Sequence, residues 1–195
     1  PVRLSSENIF DVIKDYDVSK LQTLIASLSF HDFYTYDHSI NVSMYCIALY
    51  TASKPNATKE EIVMAGLGGL LHDIGKVNIA TDIINKPEKL SAEEFNIIKE
   101  HPAYGLQLLT ENACPDCKGV DFNIIKRIVH EHHENFNGTG YPKKIAGEEI
   151  HLLARITAIA DFFDAITTKR SYHEVLSTEY AILIMSKSVG KKIDP

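Results

Sequence analysis

Apolar residues recur at three- and four-residue spacing along almost the whole chain, the period of helices with one buried face. Thr58 to Glu61 and Ser91 to Glu94 both have the S/T-x-x-E form of a capping box, in which hydroxyl and carboxylate satisfy free amides at a helix start. The first leads into EIVMAGLGGLLHD. The second leads into EFNIIKEH, which Pro102 interrupts. Asp17, Asp37 and Ser177 read as further N-caps. Ile150, Leu153, Ile156, Thr157, Ala160 and Phe163 describe one long helix. The short stretch Val77-Asn78-Ile79 is the sole strand candidate. The pattern predicts an all-α single bundle of about seven to nine helices, preceded by a leader over residues 1–30.

Two segments dense in turn formers, 112–119 (NACPDCKG) and 135–147 (NFNGTGYPKKIAG), read as loops. A length of 195 residues suits one domain with some added length. A net charge of -6 argues against a dedicated binder of nucleic-acid polymers. Three cysteines, an odd number, point to a reducing cytoplasm. No apolar run approaches the roughly 18 residues of a membrane span. The start, PVRLSSENIF, has neither an initiator Met nor an apolar signal core and reads as a piece cut from a longer chain.

The chemistry concentrates in the histidines. His72-Asp73 follows an apolar helix and precedes Gly75-Lys76; His132-His133-Glu134 follows IIKRIVHEH. Asp161 sits inside the apolar IADFF stretch, where an isolated carboxylate is too costly, so a metal ion, an arginine or a helix cap must partner it. Imidazole and carboxylate without thiolate suit Mn, Fe, Zn or Ni better than Mg or Ca.

The segments LLHDIGKVNIATDIINKPEKLSAEEFNIIKEHPAYGLQLL, HHENFNGTGYP and ARITAIADFFDAITTKRSYH, in that order, resemble the HD-GYP domain, a bacterial group of the HD superfamily that hydrolyses cyclic di-GMP. The resemblance runs from about Tyr34 to Pro195 and implies a helical bundle of the HD-domain type, with a catalytic domain over residues 31–195. It implies metal ligation by His38, His72, Asp73, His101, His132, His133 and Asp161, with Asp73 bridging two divalent transition-metal ions, Fe or Mn ahead of Zn or Ni. Lys76 and Arg170 match positions that meet substrate, Tyr141 of the Gly-Tyr-Pro stretch is either a substrate or partner contact or a loop anchor, and Asp73 and Lys76 would carry catalysis. The implied reaction is in-line attack by a metal-bridged hydroxide, giving pGpG and, on further cleavage, GMP. A sensory or receiver domain upstream and a protein partner at the Gly140-Tyr141-Pro142 loop are also implied.

The chain departs from the group in places. Asn135, Phe136 and Asn137 stand where members carry Arg, Trp and Asp, which predicts altered loop order or partner contacts. Tyr34 stands where some members carry a glutamate for a third metal, so two ions are expected. His173 replaces a basic residue, weakening phosphate attraction at neutral pH. The chain stops inside the group's closing segment, so its C-terminus is expected to be truncated. His31, His130 and His151 read as surface or packing residues, Cys114 and Cys117 as part of an ordinary loop, and Gly66, Gly68 and Gly69 as close-packing positions rather than a nucleotide loop. Lys143 and Lys144 read as a solvated face. Two rival functions stand beside the phosphodiesterase: an HD phosphohydrolase acting on another nucleotide, and an HD-GYP module that binds without turnover.

Overall fold

A computed structural model of the chain describes residues 19–112, 120–168 and 176–195. Among them are nine α-helices: α1 (Ser19–His31), α2 (Phe33–Ser53), α3 (Lys59–Leu71), α4 (Thr81–Ile84), α5 (Ala92–Ile98), α6 (His101–Glu111), α7 (Phe122–Glu131), α8 (Leu152–Thr167) and α9 (Thr178–Ser186). Two 3-10 turns, Ile74–Asn78 and Gly147–Glu149, complete the described elements, and no strand occurs among these residues. The fold class is all-α, as the periodicity predicts.

Local chemistry sets the helix ends. Both capping boxes form at Thr58 and Ser91, and Ser177 caps α9 through the Tyr180 amide. Pro102 opens α6 rather than breaking it, because a proline in the first turn lacks an N–H that would have had no partner. Asp37 is not a cap. Helix α2 starts five residues earlier, where extended Asp32 accepts the Thr35 amide at 2.8 Å and is held by Asn85 Nδ2 at 3.1 Å. Val77-Asn78-Ile79 is not a strand either; the 3-10 turn takes it, with the Ile79 amide donating to the Lys76 carbonyl at 2.9 Å. Asp17 lies outside the described residues.

Helices α2, α3, α7 and α8 pack on one another around Val42, Cys46, Leu67, Leu71, Ile125, Ile128 and Ala160. Leu24 and Leu28 of α1, within the stretch read as leader, are buried in the same core. The helices approach closely because α3 carries glycines: a Cβ on Gly68 would lie 2.4 Å from Ile128 Cδ1, and one on Gly69 2.8 Å from Ser43 Cα. No described helix is long and apolar enough to cross a membrane. The C-terminal segment returns to the long loop, the Phe136 amide bonding the Lys192 carbonyl and the Asn137 amide that of Lys191, while Arg155 pairs with Asp194 at 2.6 Å.

Candidate metal centre

Five helices deliver side chains to one buried point. His38 comes from α2, His72 and Asp73 from the junction of α3 with the first 3-10 turn, and His101 from the first residue of α6. His132 and His133 follow α7, and Asp161 lies on α8. They form two groups, Asp73 with His101, His132 and His133, and His38 with His72 and Asp161. Within each group one ligand atom per residue lies within 4.8 Å of the others.

The ring orientations say what the groups can hold. The Nδ1 of His72 donates to the Gly69 carbonyl at 2.7 Å, that of His101 to Ile98 at 2.7 Å, and that of His132 to Val129 at 2.9 Å. His38 Nδ1 donates to Asp164 Oδ2 at 2.6 Å. A carbonyl only accepts, so in His72, His101 and His132 these contacts assign the proton to Nδ1 and leave a lone pair on Nε2. His101 Nε2 and His132 Nε2, 3.2 Å apart, then aim lone pairs at each other. His72 Nε2 and Asp73 Oδ1 are buried with no hydrogen-bond partner. Converging electron pairs in a buried site are costly without a cation, and a second-nitrogen anchor of this kind is the usual support of a metal-ligating imidazole. The residues fit divalent metal ions.

Asp73 faces both groups. Its Oδ1 lies 3.2 Å from His101 Nε2 and 4.0 Å from His132 Nε2; its Oδ2 lies 3.3 Å from His72 Nε2, 3.8 Å from His38 Nε2 and 2.6 Å from Lys76 Nζ. Burial alone would raise this carboxyl, but Lys76 and His72 hold it well below the ordinary carboxylate range. Burial likewise opposes ionisation of Asp161, yet its hydrogen bond with His38 at 3.0 Å keeps it low. His38 responds in turn: burial disfavours its charge, but Asp161 and Asp164 raise it to about 9. Burial with His101 takes His133 down to about 3, and burial with the surrounding rings holds His132 well below the imidazole range.

His133 is positioned differently. Its ring has no hydrogen bond among the described residues, but stacks on Tyr141 with centroids 4.8 Å apart at 28°. The Tyr141 amide also donates to the His133 carbonyl at 3.1 Å, so Tyr141 fastens the loop to the site. Lys99 Nζ lies 5.6 Å from the Tyr141 ring centre. The loop itself is built from Glu134, whose Oε1 accepts the Lys143 and Lys144 amides at 2.5 and 3.0 Å, and from Asn137, which accepts Thr139 N and Oγ1. Asn135 donates to Thr139 Oγ1 at 3.0 Å, so Asn135 and Asn137 both bond within the loop.

Arg170, His173, Cys114 and Cys117 lie outside the described residues. His31 bonds the Ile79 carbonyl at 2.8 Å, and His151 caps α8 through the Leu153 amide, both away from the two groups. The sequence reading missed Asp164, which also accepts from Thr168 Oγ1 at 2.8 Å. It missed Glu131 as well, buried and accepting from Arg127 Nε, Arg127 Nη2 and the His151 amide. A second acid three residues beyond Asp161 in an apolar helix was the available signal for Asp164.

A helical core that gathers imidazoles and aspartates around a His-Asp pair defines the class, and the HD domain model matches residues 21–195. The chain belongs to the HD domain family, and within it is of the HD-GYP type. It is 38% identical over 185 residues to a cyclic di-GMP phosphodiesterase of Pseudomonas aeruginosa, covering 92% of this chain and 43% of that one. It is 34% identical over 162 residues to a 3'3'-cGAMP-specific phosphodiesterase of Vibrio cholerae, covering 83% and 33%. Among solved structures, an HDG"Y"P protein of Bdellovibrio bacteriovorus matches with a TM-score of 0.63 at 27% identity, over 80% of this chain and 47% of that one. The chain thus spans less than half the length of each of these relatives.

Proposed function

We propose that the chain is the catalytic part of a metal-dependent phosphodiesterase that opens a cyclic dinucleotide, cyclic di-GMP in the first instance, to pGpG and on further cleavage to GMP. The observation that carries the reading is Asp73, whose two oxygens face two groups of inward-pointing imidazoles. His38, His72 and Asp161 would hold one ion, His101, His132 and His133 the other, and Asp73 both. When bound, such a pair supplies a water of lowered pKa and neutralises charge gathering on the phosphate oxygens. The resemblance to the HD-GYP group favours iron or manganese ahead of zinc or nickel, and this set of nitrogen and oxygen donors accepts all four.

The chain's own residues supply the rest. Lys76 keeps its ammonium 2.6 Å from Asp73, beside the place a phosphate would occupy, and offsets negative charge there. Tyr141 fixes the ring plane of His133 and would form one edge of the substrate site. Arg170 completes the substrate-binding set. The helical unit that begins with α1, rather than at residue 31, would form the catalytic domain of a cytoplasmic protein, regulated by an upstream domain and met by a protein partner at the Gly140-Tyr141-Pro142 loop.

The test is elemental analysis of anaerobically purified protein together with chromatography of products from cyclic di-GMP, 3'3'-cGAMP and cyclic di-AMP. Two metal equivalents per chain and linear pGpG support the reading. Cleavage of another dinucleotide alone would reassign the substrate; tight binding with no product from any of them would make the chain a binding module. Full activity in chelator-treated protein would refute the metal-dependent mechanism.

A further inference from the structure

Beside the metal centre lies a cavity of about 620 Å³, which meets that centre at His38 and Lys76. This lies within the roughly 300–1,000 Å³ of small-molecule sites and exceeds what one phosphodiester group fills. One wall is the start of α2, with Phe33, Tyr34 and Asp37; the other is residues 84–90, with Lys86 and Lys89. Phe33 and Tyr34 leave 67% and 64% of their surfaces exposed. Asp37 lies three residues beyond Tyr34, on the same helix face. Lys86 is held by Glu94 at 2.7 and 2.8 Å, whereas Asp37 and Lys89 have no side-chain partner among the described residues.

The walls therefore offer the exposed ring of Tyr34 with an acceptor carboxylate one helical turn on, and a lysine without a side-chain partner on the opposite wall. A purine stacks on the first, and guanine alone of the common purines presents two adjacent N–H donors on its Watson–Crick edge to a carboxylate. Adenine presents an acceptor nitrogen there, which a carboxylate repels. We propose that this cleft seats the second guanylate unit of the substrate, its base stacked on Tyr34 with its edge on Asp37 and its phosphate met by Lys89. The assignment rests on the phosphodiesterase reading above and adds the base selectivity.

The test compares wild type with Tyr34→Ala, Tyr34→Phe, Asp37→Asn and Lys89→Ala, each checked for metal content. Turnover is measured on cyclic di-GMP, cyclic di-AMP and bis(p-nitrophenyl) phosphate, and affinity by calorimetric titration of metal-free protein with cyclic di-GMP. Tyr34→Ala raises KM and Kd for cyclic di-GMP roughly tenfold, the scale of one lost base stack, with kcat within about twofold; Tyr34→Phe restores both. Lys89→Ala raises the same two constants. Asp37→Asn cuts the preference for cyclic di-GMP over cyclic di-AMP roughly tenfold, the scale of one bidentate base contact. Constants and selectivity within about twofold of wild type in an active enzyme would overturn the assignment alone. A metal-replete wild type that cleaves neither these three substrates nor 3'3'-cGAMP would overturn the phosphodiesterase reading, and the assignment with it.

Discussion

Gly75→Ala tests whether backbone packing sets the spacing of the metal ligands. Gly75 lies two residues after Asp73, in the 3-10 turn that runs against the start of α6. A Cβ there would sit 1.9 Å from the His101 carbonyl oxygen, 2.5 Å from the Gly105 nitrogen and 2.9 Å from the His101 carbonyl carbon. All three atoms are backbone, so no side chain can swing aside. Ordinary contact begins near 3.4 Å, and turn and helix would have to part by about 1.5 Å. That movement separates Asp73 from His101, whose ligand atoms now lie 3.2 Å apart. Metal–ligand distances tolerate about 0.2 Å, so the shift exceeds the tolerance several-fold.

The expected result is loss of at least one metal equivalent by elemental analysis and a fall in kcat/KM of at least ~100-fold, the upper end of what losing a ligand's support costs. Overpacking of this kind costs about 1–3 kcal/mol, and a chain of this size loses roughly 2–4 °C of Tm per kcal/mol. Gly68→Ala is the comparison: its Cβ meets the flexible end of Ile128 at 2.4 Å, so stability falls while metal content holds. If folded Gly75→Ala protein binds two metal equivalents with wild-type affinity, backbone spacing does not set the site.

Asp164→Ala removes the carboxylate that fixes His38 Nδ1 and should weaken metal binding about 10- to 100-fold, read by competition with a graded chelator. Tyr141→Ala should lower kcat and metal affinity together because it frees the His133 ring, while Tyr141→Phe keeps the stack and both quantities; equal loss in both variants would assign the role to the hydroxyl instead. Asp32→Ala should cost about 1 kcal/mol through loss of the α2 cap. Burial opposes ionisation of Asp32, but bonds from Thr35 and Asn85 lower its pKa overall. Its contribution is therefore full above the unfolded value near ~3.9 and fades as pH falls through the lower folded value. The melting-temperature gap between wild type and Asp32→Ala should be constant at neutral pH and narrow below about pH 4; a gap that widens in acid would contradict this.

What the sequence made legible depends on how far each signal reaches. Both capping boxes and the α8 stripe are local patterns, and they form where expected. The seven His and Asp positions were legible because the family motifs fall on them, and the chain brings all seven together. The misread start of α2, placed at Asp37 by the sequence pattern, has a long-range cause: Asn85, 53 residues from Asp32, helps hold Asp32 in place as the cap. Asp164 was missed for the same reason, since its partner His38 lies 126 residues earlier. Leu24 and Leu28 carry an ordinary helical pattern that does not say whether their helix joins the core.

The orientation of the rings follows from helix ends rather than from any motif. Gly69, Ile98 and Val129, whose carbonyls anchor His72, His101 and His132, all lie in the last turn of α3, α5 and α7. Such carbonyls have no amide four residues ahead to accept from, so an imidazole three residues on satisfies them. One ring thereby caps a helix with Nδ1–H and presents an Nε2 lone pair to the centre. Because those bonds do not need the metal, the stripped chain should keep its helices and its ring directions. Chelation should then abolish turnover and lower Tm while leaving the far-UV circular dichroism within about 10% of the loaded protein, and added metal should restore activity without a refolding lag. Collapse of helicity on chelation would show instead that the metal, and not the helix ends, organises the rings.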